Sequence, residues 1–126
     1  MNQLKRVSLL EQSADNFGFS WENTGQIMAQ IQSECLEVEA HLTADNMNFN
    51  PDLLQEEIGD LLHAAFSLCV FCQFDLEKTL EKTLNKFERR LADVKLLAHD
   101  AGFKTLKAQS FEVLMDLWRQ AKVRVG

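Results

Sequence analysis

Four carboxylates stand out because each lies on a helix face that is otherwise apolar. Glu34 and Glu37 are three residues apart, and so are Glu57 and Asp60. Side chains at that spacing project from one side of an α-helix. Both pairs fall within or at the edge of stripes of Leu, Ile, Val and Ala residues that recur with the helical period. The pattern therefore predicts two helices that each turn a pair of acids toward a neighbour.

Four ionised carboxylates brought together would repel one another and would be costly to remove from water. A hard divalent cation with oxygen ligands relieves both problems. Mg²⁺ suits this arrangement because it takes only some of its octahedral ligands from protein and keeps water or phosphate oxygens in the others. The alternative is that the acids line a solvated groove or pair with Lys and Arg. Two acid pairs in two apolar stripes favour the cation.

Basic and aromatic side chains on later helices could complete a nucleotide site. Lys86 and Arg90 are four residues apart, and so are Trp118 and Lys122. Two cations could hold phosphate oxygens, and an indole offers a flat surface to a base. Equally, the cations could form a solvated helix face and Trp118 could belong to the core. The pattern alone leaves both interpretations open.

The elements that must position these residues follow from apolar periodicity and capping residues. They are predicted to be five helices: about Leu4 to Phe17, ending at Gly18; from a cap at Asn23 or Thr24 to about Leu42; from the cap Asn50 and Pro51 to about Cys72; from the cap Asp75 to a point before Gly102; and one capped by Ser110.

The composition fits a single all-α domain over residues 1–126, a helical bundle of about five helices with a four-helix core. Only five glycines and one proline occur, too few for a fold with many strands. Hydrophobic residues make up 46% and charged residues 25%, as in ordinary globular proteins. The net charge of −6 argues against a nucleic-acid partner, which would require a basic surface.

The cellular location of the protein can be predicted from its apolar stretches and its cysteines. The N-terminal residues lack the long apolar run of a signal peptide, and no stretch is apolar enough to span a bilayer. Cys35, Cys69 and Cys72 are odd in number and lie among apolar residues. They are predicted to be buried, reduced thiols. A cytoplasmic protein without membrane contact is therefore expected.

With these pieces in order, the chain resembles the MazG-like nucleoside triphosphate pyrophosphohydrolases. The resemblance runs from about Phe17 to Lys122 and rests on five segments: "GFSWEN", "SECLEVE", "QEEIGDLLHAAFSL", "NKFERRL" and "DLWRQAK". Two positions depart from the family pattern. Ser33 stands where a second Glu is common, and Leu84 stands where an Asn is common, with Asn85 one position later.

The resemblance implies an all-α, Mg²⁺-dependent hydrolase, with Mn²⁺ as an alternative ion. It would convert a (d)NTP to (d)NMP and pyrophosphate, in nucleotide-pool housecleaning, as a homodimer or a dimer of dimers. Glu37 or Glu34 would be the general base. The implied site residues are the metal ligands Glu34, Glu37, Glu57 and Asp60, the phosphate-binding Lys86 and Arg90, and the nucleotide-binding Trp118 and Lys122.

Three other readings of the sequence stay open at this point. One is a variant specific for dUTP or another deoxynucleotide. Another is a non-catalytic helical interaction module whose acids form a docking surface. The third is a ferritin-like bundle with two redox metals, suggested by the spacing of Asp60 and His63. That bundle would need a second such motif, and His63 falls on the polar side of its helix, which predicts a surface histidine.

Overall fold

The computed structural model describes residues 1–45 and 47–126. They form five α-helices and, within these ranges, no strand, which confirms the predicted all-α class. The helices are α1 (Gln3–Phe17), α2 (Thr24–Leu42), α3 (Pro51–Phe71), α4 (Leu76–Asp100) and α5 (Phe111–Val125). In this described part, no single helix is long and apolar enough to cross a membrane, and α3 and α4 meet that criterion only together, as a bent pair.

Local sequence determines where the helices begin and end. Four predicted caps are confirmed, because each side chain accepts a hydrogen bond from a backbone N–H two or three residues further on: Asn23, Asn50, Asp75 and Ser110. Such caps satisfy N–H groups that lack a partner within the helix. Gly18 and Gly102, with φ of 92° and 90°, follow α1 and α4 in the left-handed region that glycine adopts without strain.

The chain divides into two compact units, Met1–Thr79 and Leu80–Gly126. In the first unit, α2 lies along α3, and α1 also contacts α3. Ile27 is completely buried, and Ala64 and Ser67 are buried on the inner face of α3. The packing of α2 on α3 brings the two acid-bearing helices together. The single domain over residues 1–126 stays a prediction.

The second unit has a core of its own, formed by the end of α4, the following connection and α5. Its buried residues are Val94, Ala98, Leu117 and Ala121, and the partly buried residues packed on them include Phe103, Leu106 and Trp118. Beside this core, the buried carboxylate of Asp93 lies 3.2 Å through Oδ1 from Nη2 of Arg124. Its other oxygen, Oδ2, has no hydrogen-bond partner among the described residues.

Arg124→Ala is expected to lower the free energy of unfolding by about 1–3 kcal/mol, because it leaves a buried carboxylate without its cationic partner. Urea denaturation at pH 7 measures the change. Arg119→Ala, at an exposed position of the same helix, is the matched control and is expected to stay within about 0.5 kcal/mol of wild type. Equal midpoints for the two variants would contradict a stabilising role for the Asp93–Arg124 pair.

The prediction of buried cysteines is wrong, because two of the three are exposed and the third is only partly buried. Cys35 and Cys72 are exposed, whereas Cys69 is partly buried with its Sγ 3.4 Å from Oγ1 of Thr79. Leu36, beside Cys35, is itself 66% exposed. Apolar neighbours in sequence therefore did not predict burial, because the surfaces around these thiols are not covered by the described part of the chain.

Candidate metal and nucleotide site

Three of the four predicted acids meet between α2 and α3. Glu34, Glu57 and Asp60 each contribute a carboxylate oxygen, and the three oxygens lie within 4.8 Å of one another. Glu34 and Glu57 are partly buried, and Asp60 is exposed. Glu57 and Asp60 are three residues apart on α3, so their side chains project from the same side of that helix. The packing of α2 along α3 brings Glu34 to them. We call these three residues the acid cluster.

Glu37 lies beside the acid cluster and outside it. Its side chain is exposed and does not share the 4.8 Å grouping. It is nevertheless close enough to affect Glu57 electrostatically. Partial burial raises the pKa of Glu57 above its ordinary value, and the charges of Glu37, Asp60 and Glu34 raise it further. The acids therefore repel one another, as the sequence predicted for four carboxylates without a counter-charge.

Two neighbours of the cluster were not predicted from the sequence. Nε2 of His41 lies 3.9 Å from Oε1 of Glu57 and lowers the pKa of that carboxyl, against the larger effects that raise it. Nε2 of Gln30 donates a hydrogen bond of 2.6 Å to Oε1 of Glu34. Gln30 precedes Glu34 by four residues, so helical spacing was the signal that would have found this contact. The contact of His41 with Glu57 joins two helices, and spacing within one helix gives no signal for it.

The acid cluster fits a divalent cation. All three groups are hard oxygen donors of the kind that Mg²⁺ or Ca²⁺ prefers. Partial burial raises the pKa of Glu57 most, and the neighbouring carboxylates raise it further; a bound cation would offset both effects. Glu34, Glu57 and Asp60 are the residues that would hold it.

The predicted basic and aromatic residues all belong to the second unit. Nε of Arg90 donates a 2.9 Å hydrogen bond to the Gly126 carbonyl, and its Cζ lies 5.5 Å from the centre of the Trp118 ring. The same indole contacts Phe87, with ring centres 5.9 Å apart. Lys86 and Lys122 are exposed. The structure thus brings Arg90 and Trp118 together, and Trp118 also packs on the core of its unit.

His63 does not join the acid cluster. Its side chain is exposed, as predicted, and its Nε2 lies 2.8 Å from Oε1 of Glu11 on α1. The group that could hold a metal in the described part of the chain contains carboxylates only. A ferritin-like pair of carboxylate–histidine motifs is therefore not favoured.

The fold and the site define an all-α protein in which two adjacent helices bring together three carboxylates that could hold a metal ion. Comparison with known proteins makes this more specific. The family model described as "MazG nucleotide pyrophosphohydrolase domain" matches residues 22–95, more than half of the chain. The chain belongs to this family. The matched segment contains the four predicted acids as well as Lys86 and Arg90, whereas Trp118 and Lys122 lie beyond it.

Curated relatives agree with this assignment. A nucleoside triphosphate pyrophosphohydrolase of Escherichia coli (strain K12) is 29% identical over 119 residues, which are 94% of this chain and 44% of that protein. A nucleoside triphosphate pyrophosphohydrolase/pyrophosphatase MazG of Thermotoga maritima is 28% identical over the same shares. The chain thus spans less than half the length of the curated relatives that it matches.

Proposed function

We propose that this chain is a Mg²⁺-dependent nucleoside triphosphate pyrophosphohydrolase that converts a (d)NTP and water to a (d)NMP and pyrophosphate. The observation that carries the proposal is the acid cluster, with its three carboxylate oxygens within 4.8 Å of one another. Membership of the MazG family supports a nucleotide as the substrate. A cytoplasmic location and a role in clearing unwanted nucleotides go with this proposal.

The metal would be held by Glu34, Glu57 and Asp60. Mg²⁺ is the ion we propose, with Mn²⁺ as an alternative, because Mg²⁺ binds through few carboxylates together with substrate phosphates. When bound, the ion supplies positive charge that polarises phosphoryl oxygens and lowers the pKa of a water molecule. The remaining chemistry belongs to the chain's own side chains.

Glu37 is the side chain that we place as general base. It lies close enough to affect the pKa of Glu57, yet it is exposed and stands outside the acid cluster. Glu34 suits the role less well because its Oε1 already accepts the Gln30 hydrogen bond. Glu37 would take a proton from water as the water oxygen bonds to the α-phosphorus. The bridging bond to the β-phosphate then breaks, and pyrophosphate leaves.

Lys86 and Arg90 are proposed to bind the triphosphate. A lysine ammonium is a compact charge for a phosphate oxygen, and a guanidinium can contact two oxygens at once. Such fixed charges stabilise negative charge on the phosphates as the bond breaks. The contacts of Arg90 with Trp118 and the Gly126 carbonyl hold its guanidinium in place before substrate arrives. Lys122 would add a third cation for the phosphates, and Trp118 would serve the nucleotide site through its contact with Arg90.

A substrate panel tests this function directly. Purified chain is incubated with each common NTP and dNTP, dUTP included, with Mg²⁺, and released pyrophosphate is measured. Release is expected to require Mg²⁺ and to stop on addition of EDTA. A strong preference for dUTP would identify a deoxynucleotide-specific variant of the same chemistry. A folded sample that releases no pyrophosphate from any nucleotide would overturn the proposal and favour a non-catalytic interaction module.

We also propose that the chain assembles as a homodimer or a dimer of dimers. Apolar side chains on the two acid-bearing helices are left exposed in the described chain, among them Leu36, Ile58 and Leu62. Exposed apolar patches of this kind often mark protein interfaces. Light scattering after size exclusion is expected to give at least twice the chain mass at micromolar concentration. Leu62→Glu should lower that mass, and a monomeric wild type would contradict the proposal.

A further inference from the structure

The first unit contains a cavity of about 770 Å³ that the acid cluster does not use. It is lined by α1, by the connection from α1 to α2, and by the second half of α3. Its volume lies in the range of about 300–1,000 Å³ that is usual for small-molecule sites. Polar side chains in its wall come mainly from α1 and α3, and aromatic ones from the connection and α3: Glu11, His63, Ser67, Phe19, Trp21 and Phe71.

A partly buried carboxylate, that of Glu11, lies in the wall of this cavity. Its side chain is 18% exposed, and its Oε1 accepts a 2.7 Å hydrogen bond from Oγ of the buried Ser67. Nε2 of His63 lies 2.8 Å from the same oxygen. Two contacts therefore orient the carboxylate, and both use Oε1. Among the described residues no side chain hydrogen-bonds to the second oxygen, Oε2, so it can accept from a ligand in the cavity, since a carboxylate has about four lone-pair positions.

Aromatic side chains provide the surface on which a flat ring can stack. Trp21 is partly buried, and Phe19 and Phe71 line the same cavity. Any nucleotide base can stack on an aromatic side chain, because every base has a flat π-face. Trp118, the aromatic residue that the sequence resemblance implied for this purpose, already packs against Arg90 and Phe87 in the second unit. The cavity thus offers an aromatic surface together with an oriented acceptor.

The cavity lies next to the acid cluster along α3. Asp60 and Ser67 are seven residues apart, which is nearly two helical turns, so both side chains project from the same side of the helix. The rise between them is about 10 Å. In an extended nucleoside triphosphate, the base lies at a comparable distance from the phosphates. One helix therefore carries both the proposed metal ligands and the wall of the cavity.

We propose that this cavity binds the base of the nucleoside triphosphate and that Oε2 of Glu11 accepts a hydrogen bond from an exocyclic amino group. The inference rests on the proposed function and makes Glu11 a specificity-determining residue. An ionised carboxylate only accepts hydrogen bonds, so a carbonyl oxygen in the same place would meet it lone pair to lone pair. Cytosine is therefore favoured over uracil, and adenine over hypoxanthine, because polar sites reject analogues that lack the matching group.

Two matched substrate pairs test the inference: CTP against UTP, and ATP against ITP, in which an amino group is replaced by a carbonyl. Wild type is expected to favour the amino member by about tenfold or more in kcat/KM. Glu11→Gln should reduce that ratio to about threefold or less, because an amide can present a donor as well as an acceptor. Glu81→Gln, exposed on α4, is the control and should keep the wild-type ratio.

Phe19→Ala provides a second variant, since its ring is 81% exposed and contributes little to the core. The substitution is expected to raise KM for all four nucleotides by about tenfold and to leave kcat almost unchanged, because stacking stabilises the bound substrate and the transition state equally. Hydrolysis of all four nucleotides at equal kcat/KM, unchanged by Glu11→Gln and Phe19→Ala, would overturn this inference and leave the proposed function intact. Absence of pyrophosphate release from every nucleotide would overturn the proposed function and, with it, the inference.

Discussion

Glu57→Gln is expected to yield a folded chain whose pyrophosphate release with Mg²⁺ falls by about 10³-fold or more. The carboxylate belongs to the acid cluster, with an oxygen within 4.8 Å of oxygens of Glu34 and Asp60. An uncharged amide oxygen is a poor substitute for a carboxylate as a ligand to a divalent cation. Isothermal titration calorimetry of the variant with Mg²⁺ or Mn²⁺ should show that metal binding is weakened as well as activity.

The same substitution is expected to stabilise the metal-free protein at neutral pH. Because the pKa of Glu57 is raised in the folded state, its contribution to stability is fully present below the ordinary value of about 4.5 and is lost as pH rises through the raised pKa. At pH 7 the ionised group therefore repels its neighbours. In EDTA, Glu57→Gln should have a higher Tm than wild type at pH 7, and the difference should vanish near pH 4.

Mg²⁺ should reverse this order at pH 7, because a ligand that binds only the folded state raises its stability, and the wild type binds the metal more tightly. Glu56→Gln is the matched control, since Glu56 is adjacent in sequence and exposed. It should retain wild-type activity and show neither effect on Tm. If Glu57→Gln kept full activity, the acid cluster would not be the metal site. If the Tm difference between Glu57→Gln and wild type in EDTA were the same at pH 4 and pH 7, the charge of Glu57 would not destabilise the metal-free protein.

Glu37→Gln is expected to lower kcat by about 10²- to 10⁴-fold while Mg²⁺ affinity and KM stay within about threefold of wild type. The physical reason is its position: Glu37 is near enough to Glu57 to raise the pKa of that carboxyl, yet it lies outside the 4.8 Å grouping. A residue that accepts the proton of the attacking water can be lost without loss of binding. Steady-state kinetics combined with metal titration separates the two roles.

Glu39→Gln serves as the control for Glu37→Gln, because Glu39 is exposed two residues further along the same helix. Its kinetics should match wild type. If Glu37→Gln instead lost Mg²⁺ affinity to the same extent as Glu57→Gln, Glu37 would be a metal ligand, as the family resemblance implies, and another group would be the base. An unchanged kcat would remove Glu37 from the mechanism.

Much of the fold was predictable because it depends on residues close together in the chain. Helix boundaries follow from caps such as Asn50 and Asp75, each of which bonds to a backbone N–H within three residues. The pairing of Glu57 with Asp60 follows from helical spacing in the same way. Gln30 and Glu34 obey the same rule, four residues apart, although their hydrogen bond was not foreseen.

Contacts between distant parts of the chain were not predictable from one sequence. Glu11 meets His63 and Ser67 across more than 50 residues, and His41 meets Glu57 across 16. Periodicity shows which face of a helix is apolar, but the partner of that face depends on the register and angle at which helices pack.

The sequence by itself therefore determined the five helices, their caps and the acid pairs on α2 and α3, since all of these arise from interactions within a few turns. Only the tertiary structure decided that Glu34 joins Glu57 and Asp60, with Glu37 left beside them. The packing of α1 on α3 likewise created the cavity in which Glu11 is held by Ser67 and His63. Such a cavity has no local signal, because its walls come from segments whose proximity exists only after the helices have packed.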